Sequence, residues 1–138
     1  MTEKKTKLPP ADDWQARDIE TWNVSTYKAF IAAKTKEIYG VDYSPGGGGS
    51  KQARYGRENG MLKNAQGKYG NRVLKAFIEI CWREYKATEQ YRYLTVTFAI
   101  SYLDRHFAEA VAQVAREARR EKVAEELAVD GEELSDWF

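Results

Sequence analysis

The chain has 138 residues, 43% of them apolar, with 4 Trp, 9 Tyr and 5 Phe, enough for one domain with a true core. Mean hydropathy is −0.69, and no apolar run approaches the roughly 18 residues of a membrane span, which argues against a membrane-spanning helix. Net charge is +1 but segregated: residues 28–86 carry 12 Lys/Arg against 5 Asp/Glu, and residues 121–138 carry 1 against 7. Such segregation points to a partner surface more than an overall charge does. The N-terminus has a basic start without an apolar stretch behind it, so it does not read as a signal peptide. The single cysteine, Cys81, excludes an internal disulfide framework and points to a reducing, cytoplasmic setting.

Residues 1–12 read as an extended leader, because Pro9 and Pro10 discourage a helix. Trp14, Ile19 and Trp22 then form a short apolar group expected to lie across the core. The first helix is predicted at about 25–39, with Asn23 or Ser25 as its cap and Gly40 as its stop. Tyr27, Phe30, Ile31, Lys34 and Ile38 recur along it at helical spacing.

Residues 41–56 read as a loop, with its flexible part at 44–50. Four consecutive glycines, Gly46 to Gly49, lose much entropy on ordering, so this stretch is expected to move unless something binds it. Ser50-Lys51-Gln52 breaks the order a phosphate-binding P-loop requires. The same Gly-Gly-Gly-Gly-Ser run is the unit of a common artificial linker. A plain flexible loop, an engineered splice and a phosphate-contacting loop are the three readings open here. Lys51, Arg54, Tyr55 and Arg57 follow at once, and cations interleaved with an aromatic suit a nucleic-acid strand. The cations neutralise phosphates and the ring offers a stacking face. Met61, Leu62 and Ala65 suggest a short helix, and Gly67-Lys-Tyr-Gly70 a turn.

The clearest periodicity lies at 71–86, where Leu74, Phe77, Ile78, Cys81, Trp82 and Tyr85 form one wide apolar stripe behind a cap at Asn71. Cys81 on that stripe reads as a core thiol. With the preceding segment and turn, this helix has helix-turn-helix proportions, though the stripe leaves few positions free to read bases. Tyr85, Tyr91 and Tyr93 read either as caps over the core or as an extension of the basic, aromatic surface. Thr95 or Thr97 is expected to start a long helix reaching about residue 128, with Phe98, Tyr102, Leu103, His106, Phe107, Ala110, Val111 and Val114 on one side. A solvated, projecting end is a natural element for homo-oligomerisation. His106 has no ligand-spaced neighbour and reads as a core or half-buried histidine.

The fold expected is therefore all-α: a small single-domain helical bundle spanning 13–120, with a long C-terminal helix and an acidic end at 121–138 that is disordered from Asp130. Its core is assigned mainly to Trp14, Trp22, Phe30, Ile31, Leu74, Phe77, Ile78, Cys81, Trp82, Phe98, Tyr102 and Phe107.

The last residues, Asp130, Glu132, Glu133 and Asp136 followed by Trp137 and Phe138, put acids before a terminal aromatic pair. This ending resembles the acidic C-terminal tip of bacterial and phage single-stranded-DNA-binding proteins, in which acids precede a terminal Phe. The resemblance covers nine residues and lacks the Pro usual before that Phe. It does not extend to the body, because those proteins use an OB fold of strands and here the periodicity is helical. What it implies is a tip that recruits a replication or host protein, or that competes with nucleic acid for the chain's own basic surface. The short, helical, Tyr-rich body is similar in type to phage-encoded accessory proteins of DNA replication and recombination, which would place it in a host cytoplasm. With one His, one Cys and no nucleophile motif, the sequence reads as non-enzymatic, with no cofactor and no metal.

The function expected is nucleic-acid binding, single-stranded or backbone-type, through Lys51, Arg54, Tyr55, Arg57, Lys63, Lys68, Tyr69, Arg72 and Lys75. The alternative is a phage-type interaction adaptor or inhibitor of a host enzyme that binds no nucleic acid.

Overall fold

A computed structural model describes residues 8–136, with side chains through Val129. Five α-helices follow a short 3-10 turn at Ile19–Thr21: α1 (Val24–Tyr39), α2 (Lys51–Tyr69), α3 (Asn71–Glu84), α4 (Val96–Tyr102) and α5 (His106–Asp136). Among the described residues there is no strand, and no helix is long and apolar enough to cross a membrane.

α1 is bounded as its sequence demands. The Thr26 amide donates to Asn23 Oδ1 (3.1 Å) and the Asn23 amide donates to Thr26 Oγ1 (3.2 Å), a reciprocal cap that satisfies two orphan donors. Gly40 ends it in the left-handed region at φ 73°. α3 is the organising helix: Leu74, Ala76, Phe77, Ile78, Ile80 and Cys81 are all buried. The ring of Phe77 stacks on Phe107 at 3.6 Å between centroids, and Phe107 stacks in turn on Tyr69 at 4.1 Å. At the other end Trp14 packs edge-to-face on Trp22 and Phe30, and Phe30 makes tilted contacts with Trp22 and Trp82, a cluster that docks the N-terminal segment. Burial pushes the Cys81 thiol up to about 12, as expected of a core cysteine.

Asn71 has a different role from the cap expected of it. The N-cap of α3 is Gly70, with no side-chain capping bond. The Asn71 amide donates instead to the Ile19 and Trp22 carbonyls (2.9 and 3.0 Å), and its Oδ1 accepts from Tyr27 and Gln66 (3.0 and 2.9 Å). One side chain thus ties the N-terminal segment to α1, α2 and α3.

Three boundaries depart from expectation. α2 begins at Lys51, so 51–56 is helix rather than loop, and it runs through Gly56, Gly60 and Gly67 to a break at Gly70 alone. Ser50 starts it by accepting from the Ala53 amide (3.1 Å). The expected long helix from Thr95 is two helices, because the chain turns at Leu103–Arg105. The turn directs α4 onto α2 and α5 onto α3, and it leaves Tyr102, assigned to the core, 69% exposed. The backbone of α5 continues to Asp136, past the expected end near 128 and into the acidic segment expected to lack structure. Ala, Glu, Leu, Lys and Arg dominate this stretch, and once a helix is nucleated each further residue adds one bond. α5 runs antiparallel to α3, with Arg83 on Glu109 (2.8 Å) at one end and Arg72 near Glu121 (3.8 Å) at the other.

Candidate nucleic-acid interface

Lys51, Arg54, Tyr55, Arg57, Lys63, Lys68 and Tyr69 lie on α2, and Arg72 and Lys75 open α3. They do not form one patch. At 3.6 residues per turn, Lys63 points away from the buried stripe of Glu58, Leu62 and Ala65, while Lys51 and Tyr55 extend that stripe towards the helix start. Several are engaged within the chain. Arg72 pairs with Glu20 at 2.6 Å. Lys75 pairs with Glu79 at 3.9 Å and lies over the rings of Trp22 and Phe30, both at 5.7 Å. Tyr69 gives one face to Phe107. α3 is thus embedded, and its two leading cations have carboxylate partners within the chain.

The start of α2 is where cations concentrate. Lys28 of α1 and Lys51 both lie over the Tyr55 ring, at 4.8 and 5.9 Å. Arg54 donates to the Gly49 carbonyl (3.3 Å) and Arg57 to the Gly48 carbonyl (3.1 Å), so two carbonyls of the glycine run accept from α2. The run is also fitted to its neighbours. A Cβ on Gly46 would meet Thr95 Oγ1 at 3.0 Å, and one on Gly47, which has φ +94°, would strike the Arg57 guanidinium. No acidic residue occupies the first turn of α2, so its free amides and the two cations all present positive charge at the positive end of the helix dipole. That arrangement is unfavourable alone and is relieved by an anion.

Beside it opens a cleft of about 480 Å³, reached by Gly46, Gly47 and Arg57 on one side and by aromatics on the other. Phe98 is the hub of its wall, with Tyr102 at 5.1 Å, Tyr85 at 5.8 Å and Tyr91 at 6.4 Å between ring centroids. Tyr85 donates to the Tyr91 carbonyl (2.8 Å), and Tyr93 donates to the Ser44 carbonyl (3.0 Å), which fixes both rings. Tyr91 and Tyr102 remain 56% and 69% exposed. Thr95, Thr97 and Ser101 add hydroxyls to the same wall. Rigid aromatic faces beside a guanidinium and a helix N-terminus can hold a planar, anion-bearing group.

Phe98 and Tyr102 were assigned to the core from helical spacing, which carries no sign of the turn at Leu103 that exposes Tyr102. The signal that could have led to the cleft was the cluster of Tyr85, Tyr91 and Tyr93. Lys28 was missed because it lies on another helix.

Under the floor of this region Glu58 is 1% exposed. Tyr43 donates to it and accepts from the Val96 amide (3.0 Å). Burial raises the Glu58 carboxyl above its ordinary range, opposed in part by the Tyr43 bond and by Lys28.

Among the described residues no group of three or more His, Cys, Asp or Glu is gathered as a metal would require. Of the expected partner-binding tip, Asp130, Glu132, Glu133 and Asp136 lie on the α5 backbone with side chains outside the described residues, and Trp137 and Phe138 lie outside them altogether. Compared with protein-family models, curated proteins and solved structures, the chain matches none.

Proposed function

We propose that this chain is a non-enzymatic nucleic-acid-binding accessory protein, of the replication and recombination type, that holds a single strand across the start of α2. The observation that carries this reading is the aromatic cleft beside Arg57. A base would stack on Tyr102 or Tyr91, and its phosphates would meet Arg57, Arg54 and Lys51 at the helix N-terminus. The acidic tip would then recruit a replication or host protein, in a host cytoplasm.

The test is fluorescence anisotropy with labelled single-stranded and duplex DNA across a salt series. Binding should favour the single strand and weaken steeply with salt. Tyr102→Ala should weaken it about 5- to 150-fold, the range expected for loss of one base stack of ~1–3 kcal/mol. Arg57→Ala should also reduce the salt slope, and Lys63→Ala should do little. Absence of binding by the full chain at low salt would sink the reading.

One observation favours the second reading, an adaptor or inhibitor without nucleic acid. Arg72 and Lys75 pair with carboxylates within the chain, which leaves less free positive charge than the sequence count suggests. On that reading the same cleft would receive an aromatic or acidic side chain of a protein.

A further inference from the structure

From Ala115 to Val129 every residue of α5 is exposed, and the helix continues to Asp136. Its first part is held on α3 by Phe107 and Ala110, which are buried, and by Val114, which packs against the core. The later part projects as a helix with almost no tertiary support. Most of a helix's stability in a protein comes from packing of an apolar face, and this part packs on nothing.

The face turned away from α3 is patterned. At 3.6 residues per turn, Arg116, Arg119, Arg120, Val123, Glu126 and Leu127 share it. Val123 and Leu127 are 52% and 66% exposed and lie one turn apart. The charges around this apolar pair are ordered by sign. Arginines come before it, and Glu126, Asp130 and Glu133 come level with it or after it.

We infer that this face binds a second copy of the same helix in antiparallel orientation. Two-fold pairing that sets Val123 of one copy against Leu127 of the other brings Arg120 level with Asp130 and Arg119 to within one residue of it, twice over, with Glu126 about one turn from Arg120. A parallel pair would set arginine against arginine and acid against acid. The charge order therefore selects both the occupant and its direction, as flanking charges do in coiled coils. The inference does not depend on nucleic-acid binding, because the cleft and this face are built from different helices.

The full chain should sediment as a dimer at micromolar concentration and dissociate on dilution. Val123→Asp with Leu127→Asp should convert it to monomer while leaving the helical core folded, since neither side chain touches that core. Charge reversal of one sign gives the orientation, because a parallel pair already sets like charges against each other and would be no weaker for it. Arg119→Glu with Arg120→Glu should be monomeric, and so should Glu126→Lys with Asp130→Lys. Mixed in equal amounts, these two chains should form a heterodimer, because both ends of an antiparallel pair are then complementary. A wild-type chain that stays monomeric up to hundreds of micromolar overturns the inference and leaves the face to a different protein. A dimer indifferent to all three double substitutions, or reversed chains that fail to pair when mixed, overturns it equally.

Discussion

α2 and α3 are joined at a single glycine, yet they are made in different ways. α3 is a helix by its own pattern, with an apolar stripe wide enough to be covered by α5, α2 and α4. α2 has only Leu62 and Ala65, with Glu58, as buried positions, and three glycines face solvent along it. It exists because Ser50 caps it and because its neighbours hold a thin stripe in place. The cations follow the same division. Those at the start of α3 are spent on Glu20, Glu121 and Glu79, whereas those at the start of α2 gather beside an open cleft. The helix best supplied with packing carries the fold, and the poorly supplied one carries the candidate site.

Breaking the stronger helix should give the largest effect. Phe77 has no exposure and its ring lies flat on Phe107. Phe77→Ala removes that stack and leaves a cavity between α3 and α5, and should cost about 3–5 kcal/mol in urea unfolding. A loss below about 1 kcal/mol would mean that the core of α3 can collapse around the gap and does not organise the molecule.

The weaker helix can be strengthened instead. A Cβ added at Gly56, Gly60 or Gly67 meets nothing within 4 Å. Alanine at each should raise stability by roughly 0.5–1 kcal/mol, through helix propensity and a less free unfolded chain. The triple variant should therefore gain about 2 kcal/mol, read as a higher urea midpoint with an unchanged slope. A more stable protein that has lost DNA binding would show that the bare backbone of this face is itself a contact surface. A less stable one would mean that the glycine face is covered in solution.

The same contrast explains what the sequence revealed. The periodicity from Leu74 to Trp82 marked α3 correctly, and Asn23 and Gly40 marked the ends of α1, because the causes there are local. In the sequence α2 reads as a loop and a short helix, because glycine spacing outweighs a stripe only three residues long and the cap at Ser50 lies behind a run of glycines. The turn between α4 and α5 contains neither Gly nor Pro, and apolar spacing passes through it from Phe98 to Phe107 without interruption. For the candidate site, linear clustering identified Arg54 and Arg57 but gave no account of the carbonyls they bind. The facing wall, Phe98 to Tyr102, is about forty residues away, and only the folded chain brings it there.

The finest test concerns Glu58, the one charge that α2 buries where α3 would place a leucine. Its folded carboxyl titrates above the ordinary value of 4.5, chiefly through burial. Folding therefore favours the protonated form. The stability associated with this group is fully present below about pH 4.5 and is lost as pH rises through the raised folded value. Glu109 runs the other way: its hydrogen bond from Arg83 lowers its titration, so its contribution is present above 4.5 and lost as pH falls. The whole-protein profile mixes the two, and comparison with Glu58→Gln isolates the first. Glutamine keeps an acceptor for the Tyr43 hydroxyl and cannot ionise. Urea midpoints of wild type and variant should lie closest together near pH 4 and separate towards pH 7, with the variant ahead. A separation that stays constant over that range would mean that Glu58 does not change its charge there.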